Sequence, residues 1–279
     1  MIRRTTFLLT AFLLMSSLAT WANAQQTPSP ALDSSAPVEI SAAKSLEWDR
    51  AAKTYTARKD AHAQQGNLSV KSDTLTAHYD DTKGTTSITV LEAAGNVRIS
   101  SAPYTAHGEM ARYDVVTQQA TLTGSDLRIE TPNESLTAQD KITFDAVQNR
   151  LSAHGNALAK RGTDSLKSEQ LNAFFAKNAQ GKMTLQRITA DQPVSIKTVR
   201  ETITGNKGVY DVSVGKATLT GDVKIYQGEN WIAGERAEVN LKTGISQLFA
   251  APPAASAANS ESADGRVRGV FYPKKQSAE

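Results

Sequence analysis

Apolar and polar residues alternate with period two along most of this chain, and that pattern restricts it to extended strands with one buried face. Leu75, Ala77 and Tyr79 share one face, while Thr74, Thr76, His78 and Asp80 share the other. The same alternation runs through Ala111-Tyr113-Val115, Ile142-Phe144-Ala146, Leu171-Ala173-Phe175 and Ala237-Val239-Leu241. Threonine, valine and isoleucine are frequent. Turn signals recur roughly every ten residues, at Gly66-Asn67, Gly95-Asn96, Gly124-Ser125-Asp126, Gly155-Asn156, Gly221-Asp222 and Lys242-Thr243-Gly244. No segment carries a long helical period. The expected class is all-β, with stacked antiparallel strands.

The chain also repeats itself. His107–Gly124 overlays Thr204–Gly221 at a shift of 97, with nine identities among the 17 positions from Gly108 to Gly124. At a shift of 96, Leu46-Glu47-Trp48-Asp49 meets Ile142-Thr143-Phe144-Asp145, and Leu75, Ala77 and Tyr79 meet Leu171, Ala173 and Phe175. Residues 46–141 and 142–237 therefore read as two copies of one unit within a body spanning 39–249. Repeats of this kind stack so that each unit shares a core with its neighbours.

The ends are different in character. Met1–Ala24 has a basic start at Arg3-Arg4, an apolar run and a small-x-small site at Ala22-Asn23-Ala24, as in a cleaved secretory signal. An uncleaved membrane anchor is the other reading, and Thr5–Trp21 is marginal in length for a span. Export together with the absence of cysteine suits a bacterial periplasm. Residues 25–38 and 250–265 are rich in Pro, Ser and Ala and read as linkers. A short apolar and basic tail, 266–279, follows; the expectation is that it pairs with an exposed edge and regulates assembly. Without the signal the chain holds 29 basic and 28 acidic residues, so its charge gives no reason to expect nucleic-acid binding.

Enzyme signatures are missing. There is no GxSxG, HExxH, Walker loop or GxGxxG, and zero cysteine removes thiolate chemistry. The four histidines (His62, His78, His107 and His154) are scattered, and His78 falls on a polar strand face. Asp80-Asp81-Thr82-Lys83-Gly84 reads as a polar hairpin turn. No catalytic residue, cofactor or metal is expected. What remains is apolar surface: inward positions are mostly Ala, Val, Leu and Ile, and small side chains along a stack leave room for a groove that suits acyl chains. Each buried methylene is worth about 0.8 kcal/mol, so a ~14-carbon chain gains roughly 10 kcal/mol before ordering costs. Glu39-Ile40 enters the body and Leu248-Phe249 leaves it with no polar capping module, so both ends offer open strand edges that could add head to tail.

The recurring pattern Leu75-Thr76-Ala77-x-Tyr79-Asp80, Ala94-Gly95-Asn96-Val97-Arg98-Ile99, Ala111-Arg112-Tyr113-Asp114 and Ala120-Thr121-Leu122-Thr123-Gly124 resembles the OstA-like family. The resemblance implies an elongated, twisted β-jellyroll folded like a V or taco, whose apolar interior holds the lipid A acyl chains of lipopolysaccharide. It implies copies joined head to tail, and docking to an inner-membrane-anchored relative and to an outer-membrane translocon. By position in the repeat, the groove candidates are Leu75, Tyr79, Val97, Ile99, Tyr113, Val115, Leu122, Ile129, Phe144, Leu171, Phe175, Val194, Ile196, Tyr210 and Leu219. The docking-edge candidates are Val38 and Ile40 at one end and Val239, Leu241, Ile245 and Leu248 at the other. The competing readings are a structural β-solenoid scaffold, a sugar-binding β-helix and the membrane-anchored relative of the same transport system.

Overall fold

The computed structural model describes residues 38–251 and 266–272, apart from 83, 85, 180, 182, 241, 242 and 244. The signal, most of both expected linkers, the end of the tail and Leu241 lie outside the described residues. Among those described there is no helix. The strands are β1 (Glu39–Ser41), β2 (Ser45–Asp49), β3 (Thr54–Gln65), β4 (Leu68–Asp80), β5 (Ser87–Ser101) and β6 (Tyr104–Asp114). Then come β7 (Gln119–Thr123), β8 (Leu127–Glu130), β9 (Glu134–Ala138), β10 (Lys141–Asp145), β11 (Arg150–Arg161) and β12 (Asp164–Lys177). The series ends with β13 (Met183–Lys197), β14 (Thr202–Asp211), β15 (Lys216–Gln227), β16 (Asn230–Asn240), β17 (Ile245–Phe249) and β18 (Arg268–Val270). Among the described residues the chain divides into two compact units, one within 38–162 and 170–184 and the other within 163–169 and 185–272.

In the first unit the long strands each take part in two stretches of antiparallel ladder. β3 pairs with β4 over Thr54–Arg58 and again over Ala61–Gln65, with a register shift between them. β4 and β5 shift between Lys71 and Thr74, and β5 and β6 between Ala94 and Val97. These shifts line up from strand to strand and split the sheet into two half-sheets along a line of bulges, which is the corner of a β-jellyroll. One half-sheet runs β2, β3, β4, β5, β6, β7, β10, β11; the other runs β1, β3, β4, β5, β6, β8, β9, β11. The second unit uses the same device, with shifts at Asp191/Val194, Thr204/Lys207 and Thr220/Val223. Pro193 sits inside the first of these, where the ladder is already interrupted and its missing N–H goes unneeded.

The corner corrects one reading of the sequence. Gly95-Asn96, Gly155-Asn156 and Gly221-Asp222 do not reverse the chain. They lie in mid-strand, within β5, β11 and β15, and both residues of each pair have positive φ. Gly66, by contrast, is a true hairpin turn between β3 and β4. A second requirement acts at Gly95, because a Cβ there would overlap the Asp73 carboxylate, which accepts a hydrogen bond from Asn96 Nδ2 at 3.0 Å. Gly95→Ala is therefore expected to lower stability by about 1–3 kcal/mol, backbone strain plus displacement of Asp73. Gly66→Ala, with open space around it, keeps only the left-handed backbone cost of about 1–2 kcal/mol. Thermal melts of the two variants side by side check the difference.

Candidate functional site

Cross-strand register turns the alternation into rows. In the first unit one row is Leu46, Ala57, Leu75, Ala93, Ala111, Leu122, Ile142 and Ala153, each directly opposite the next. Two residues further from the corner runs Trp48, Tyr55, Ala77, Leu91, Tyr113, Ala120, Phe144 and Leu151. The other half-sheet carries Ile40, Ala63, Val70, Ile99, Ala106, Ile129, Leu136 and Ala159. All three rows are apolar on every strand. The opposite face of the first half-sheet reads Glu47, Thr56, Thr76, Glu92, Arg112, Thr121, Thr143 and Ser152. On that polar face Glu92 accepts from His78 Nε2 at 3.2 Å and from Arg112.

Most apolar residues beside the corner are buried, and so are Ala77 and Tyr79 farther out on β4, whereas Leu75 and Ala111 of the inner row are half-buried and Leu46 at the edge is exposed. Ala57, Ala61, Ala93, Val97, Leu122, Leu127, Ile142, Ala153 and Ala157 flank the corner and are buried. Farther out, Val70, Leu91, Ile99, Tyr113, Ile129, Leu136 and Phe144 are only half-buried. The apolar side is thus closed along most of the corner and across β4, and partly accessible at Leu91, Tyr113 and Phe144 and along the row from Val70 to Leu136. The second unit has its own rows: Ala190, Gly208, Leu219, Ala237 and Leu248; Ile188, Tyr210, Ala217 and Val239; and Ile196, Ile203, Ile225, Ile232 and Gly269. Val194, Val223 and Leu219 beside the corner are buried, and Ile188, Ile196, Tyr210 and Ile225 are half-buried.

Of the expected groove residues, Leu75, Tyr79, Val97, Ile99, Tyr113, Leu122, Ile129 and Phe144 stand on apolar faces of the first unit. Leu171 (buried) and Phe175 (half-buried) lie two turns of the pleat apart on β12 in that unit, while Val194, Ile196, Tyr210 and Leu219 stand in the second. Val115 departs from the ladder: it follows the end of β6, where its N–H donates to Thr89 O at 2.9 Å. The phenols of Tyr113 and Tyr210 are pushed above their ordinary range chiefly by burial, and then by Asp114 and Asp211 respectively. Burial, helped by Glu134, pushes Tyr104 up to about 12. These tyrosines stay neutral over the working pH range and add no charge to the apolar side.

At the terminal edges the expectations need two corrections. Val239 is buried in β16, which is paired on one side with β15 and on the other with β17, so it is interior to the sheet rather than on its edge. The strand that ends at Phe249 also does not make up the last layer alone, because β18 returns to pair Trp231–Ala233 of β16 beside it. Val38, Ile40 and Ile245 are exposed, and Leu248 is half-buried against Gly234. Sequence reasoning missed an aromatic cluster at the first edge. Trp48 stacks on Tyr55 at 5.6 Å, Tyr55 meets Tyr79 at 5.0 Å, and Trp48 Nε1–H donates to Tyr79 Oη at 2.9 Å. The Arg50 guanidinium lies 4.2 Å over the Trp48 ring. It also missed Leu91, Leu136, Leu151 and the Ile203–Ile225–Ile232 run, although each sits at an alternating position that could have been followed. His107 Nε2 lies 3.2 Å from Glu130 Oε1, and no group of three or more metal-ligating side chains occurs among the described residues.

A family model described as LptA/(LptD N-terminal domain) LPS transport protein matches residues 39–150, 139–245 and 202–269. Among solved structures the chain is similar to LptH, the LptA homologous periplasmic component of the conserved lipopolysaccharide transport device from Pseudomonas aeruginosa. The identity is 13% over 87% of this chain and 99% of that one, with a TM-score of 0.22. No curated protein matches the chain.

Proposed function

Because this chain belongs to the LptA/(LptD N-terminal domain) family of LPS transport proteins, we propose that it is a periplasmic lipopolysaccharide carrier. In this reading the lipid A acyl chains lie against the apolar rows, and the open strand edges join subunits and pathway partners into a bridge between the two membranes. The observation that carries it is the unbroken apolar register from β2 to β11, with half-buried side chains away from the corner. A core built only for stability would bury those positions; here Leu91, Tyr113 and Phe144 remain accessible to a guest.

Acyl chains need little else. Hydrocarbon is held by area rather than by directed bonds, so Ala, Leu, Ile and aromatic side chains suffice and no catalytic group is required. In this reading a headgroup stays in water while its tails are covered by the accessible apolar positions. The edges at β1–β2 and at β17–β18 have one face of backbone donors and acceptors unpaired within the described residues, which is the chemistry of strand addition. In the periplasm, transfer from one subunit to the next would proceed along joined clefts, with the energy supplied elsewhere.

Mass spectrometry of the purified chain under gentle conditions tests this reading in one run. The expected result is retained lipopolysaccharide and an N-terminus at Gln25. A chain that carries no lipid and does not take it up from micelles would contradict the carrier reading.

A further inference from the structure

One row on the outer face of the second unit, the face turned away from its apolar side, is aromatic where polar residues are expected. Lys197, Thr202, Tyr226, Trp231 and Val270 stand directly opposite one another, each one residue along from the apolar row Ile196, Ile203, Ile225, Ile232 and Gly269. Alternation puts the two rows on opposite faces. The matching outer row of the first unit, from Glu39 through Ser100 and Thr105 to Lys160, is polar on every strand. Beside the aromatic row, on the same face, run Ser195, Thr204, Lys224, Ala233 and Arg268. The two outer rows together hold the cations Lys197, Lys224 and Arg268 and no carboxylate.

These rings are unoccupied in a way that Trp48 is not. Trp48 is covered by Tyr55 and Arg50, and its N–H is spent on Tyr79. Among the described residues no ring or guanidinium lies over Tyr226 or Trp231, and no hydrogen bond uses the indole N–H or the phenol O–H. Lys197 and Arg268 have no ion-pair partner among the described residues either. Tyr226 is 38% exposed and Trp231 is half-buried. Tyr272 stands by the same turn, where its N–H donates to Asn230 Oδ1 at 2.7 Å. Free aromatic faces, free polar tips and unpaired cations together match an anionic sugar. The C–H face of a pyranose lies on a π face, its hydroxyls accept from O–H and N–H, and its acidic groups pair with Lys and Arg.

We propose that Tyr226 and Trp231, with Lys197 and Arg268, bind the anionic saccharide that extends from lipid A when the acyl chains lie on the opposite face of the same strands. This rests on the carrier reading above and adds a contact for the part of the glycolipid that the apolar rows do not touch. The path between the two faces is short. Ile225 and Tyr226 are adjacent on β15, Trp231 and Ile232 are adjacent on β16, and the turn joining the two strands is Gly228-Glu229. From Ile225 to that turn is three residues, or about 10 Å of strand. A saccharide that leaves the apolar rows over this turn therefore meets the Tyr226–Trp231 pair. Hydrocarbon burial is non-directional and treats all acyl chains alike, so a saccharide contact is what lets the chain prefer this glycolipid over other lipids.

Three ligands separate head from tails: whole lipopolysaccharide, the lipid A left after mild acid hydrolysis, and the saccharide released by the same treatment. In the chain beginning at Gln25, Trp48→Phe leaves Trp231 as the one tryptophan. Titrating that variant with the released saccharide is expected to shift Trp231 emission saturably, with no acyl chain present. The double variant Tyr226→Ser with Lys197→Glu alters two exposed side chains and is expected to keep its melting midpoint. It is expected to bind whole lipopolysaccharide at least fivefold more weakly than the unaltered chain, and lipid A within twofold. If it binds both within twofold, or loses both equally, or if the saccharide leaves Trp231 emission unchanged, this inference falls while lipid A binding by the unaltered chain keeps the carrier reading intact. If the unaltered chain binds neither whole lipopolysaccharide nor lipid A, the carrier reading fails and this inference fails with it.

Discussion

A chain carrying Phe144→Asp is expected to melt close to the unaltered chain and to bind lipopolysaccharide at least tenfold more weakly. Phe144 lies between Ala120 and Leu151 in the accessible apolar row, and it is half-buried rather than sealed into the corner. An aspartate there can stay hydrated in the free protein, so folding loses only part of one aromatic contact. Laying an acyl chain over it would strip that hydration, and burying an unpaired carboxylate costs several kcal/mol. Each 1.4 kcal/mol of that cost is about tenfold in affinity. Thr143→Asp, one residue away on the polar row with Thr121 and Ser152, is expected to leave binding within twofold. Titration of both variants with lipopolysaccharide, alongside their melting curves, separates a lost contact from a lost fold.

Leu127→Ala is expected to have the opposite profile, with stability falling steeply. Leu127 opens β8 at 2% exposure, opposite Ala138, beside the corner where the apolar side is sealed. Truncation there removes packing and leaves a cavity that neighbouring backbone ladders cannot close, at a cost of about 2–5 kcal/mol. At about 2–4 °C per kcal/mol for a unit of this size, the melting midpoint drops by roughly 4–20 °C. Val116, at 80% exposure, provides the contrast: Val116→Ala should shift stability by no more than about 0.5 kcal/mol. Calorimetry of the two variants measures this directly. Equal midpoints would mean that the corner is not where the sheet is held together.

Alternation alone placed Leu75, Ala77 and Tyr79 on one face, and the register puts Leu75 and Ala77 in the two parallel rows on that face. It worked because a period of two has only one solution once one face is apolar. The corner was not legible. Gly-Asn and Gly-Asp with positive φ serve a two-residue hairpin and a mid-strand bulge equally well, and only the ladders on both sides of Gly95, Gly155 and Gly221 decide between them. Val239 was misplaced for a related reason: a residue near the end of the repeat is at the edge only if nothing pairs beyond it, and β17 does. β18 escaped detection because three residues carry no periodicity, and its partner lies 35 or more positions earlier in the chain. The aromatic cluster of Trp48, Tyr55 and Tyr79 needed cross-strand register before residues so separated could be seen as neighbours.

The account stands or falls on which face of the strands meets lipid. A photo-reactive amino acid placed at Leu91 and at Glu92, at Tyr113 and at Arg112, and at Phe144 and at Thr143 samples opposite faces of the same three strands with adjacent residues. The expected result is lipopolysaccharide captured from positions 91, 113 and 144 and not from 92, 112 and 143. Equal capture from both sets, or capture from the polar row alone, would contradict it.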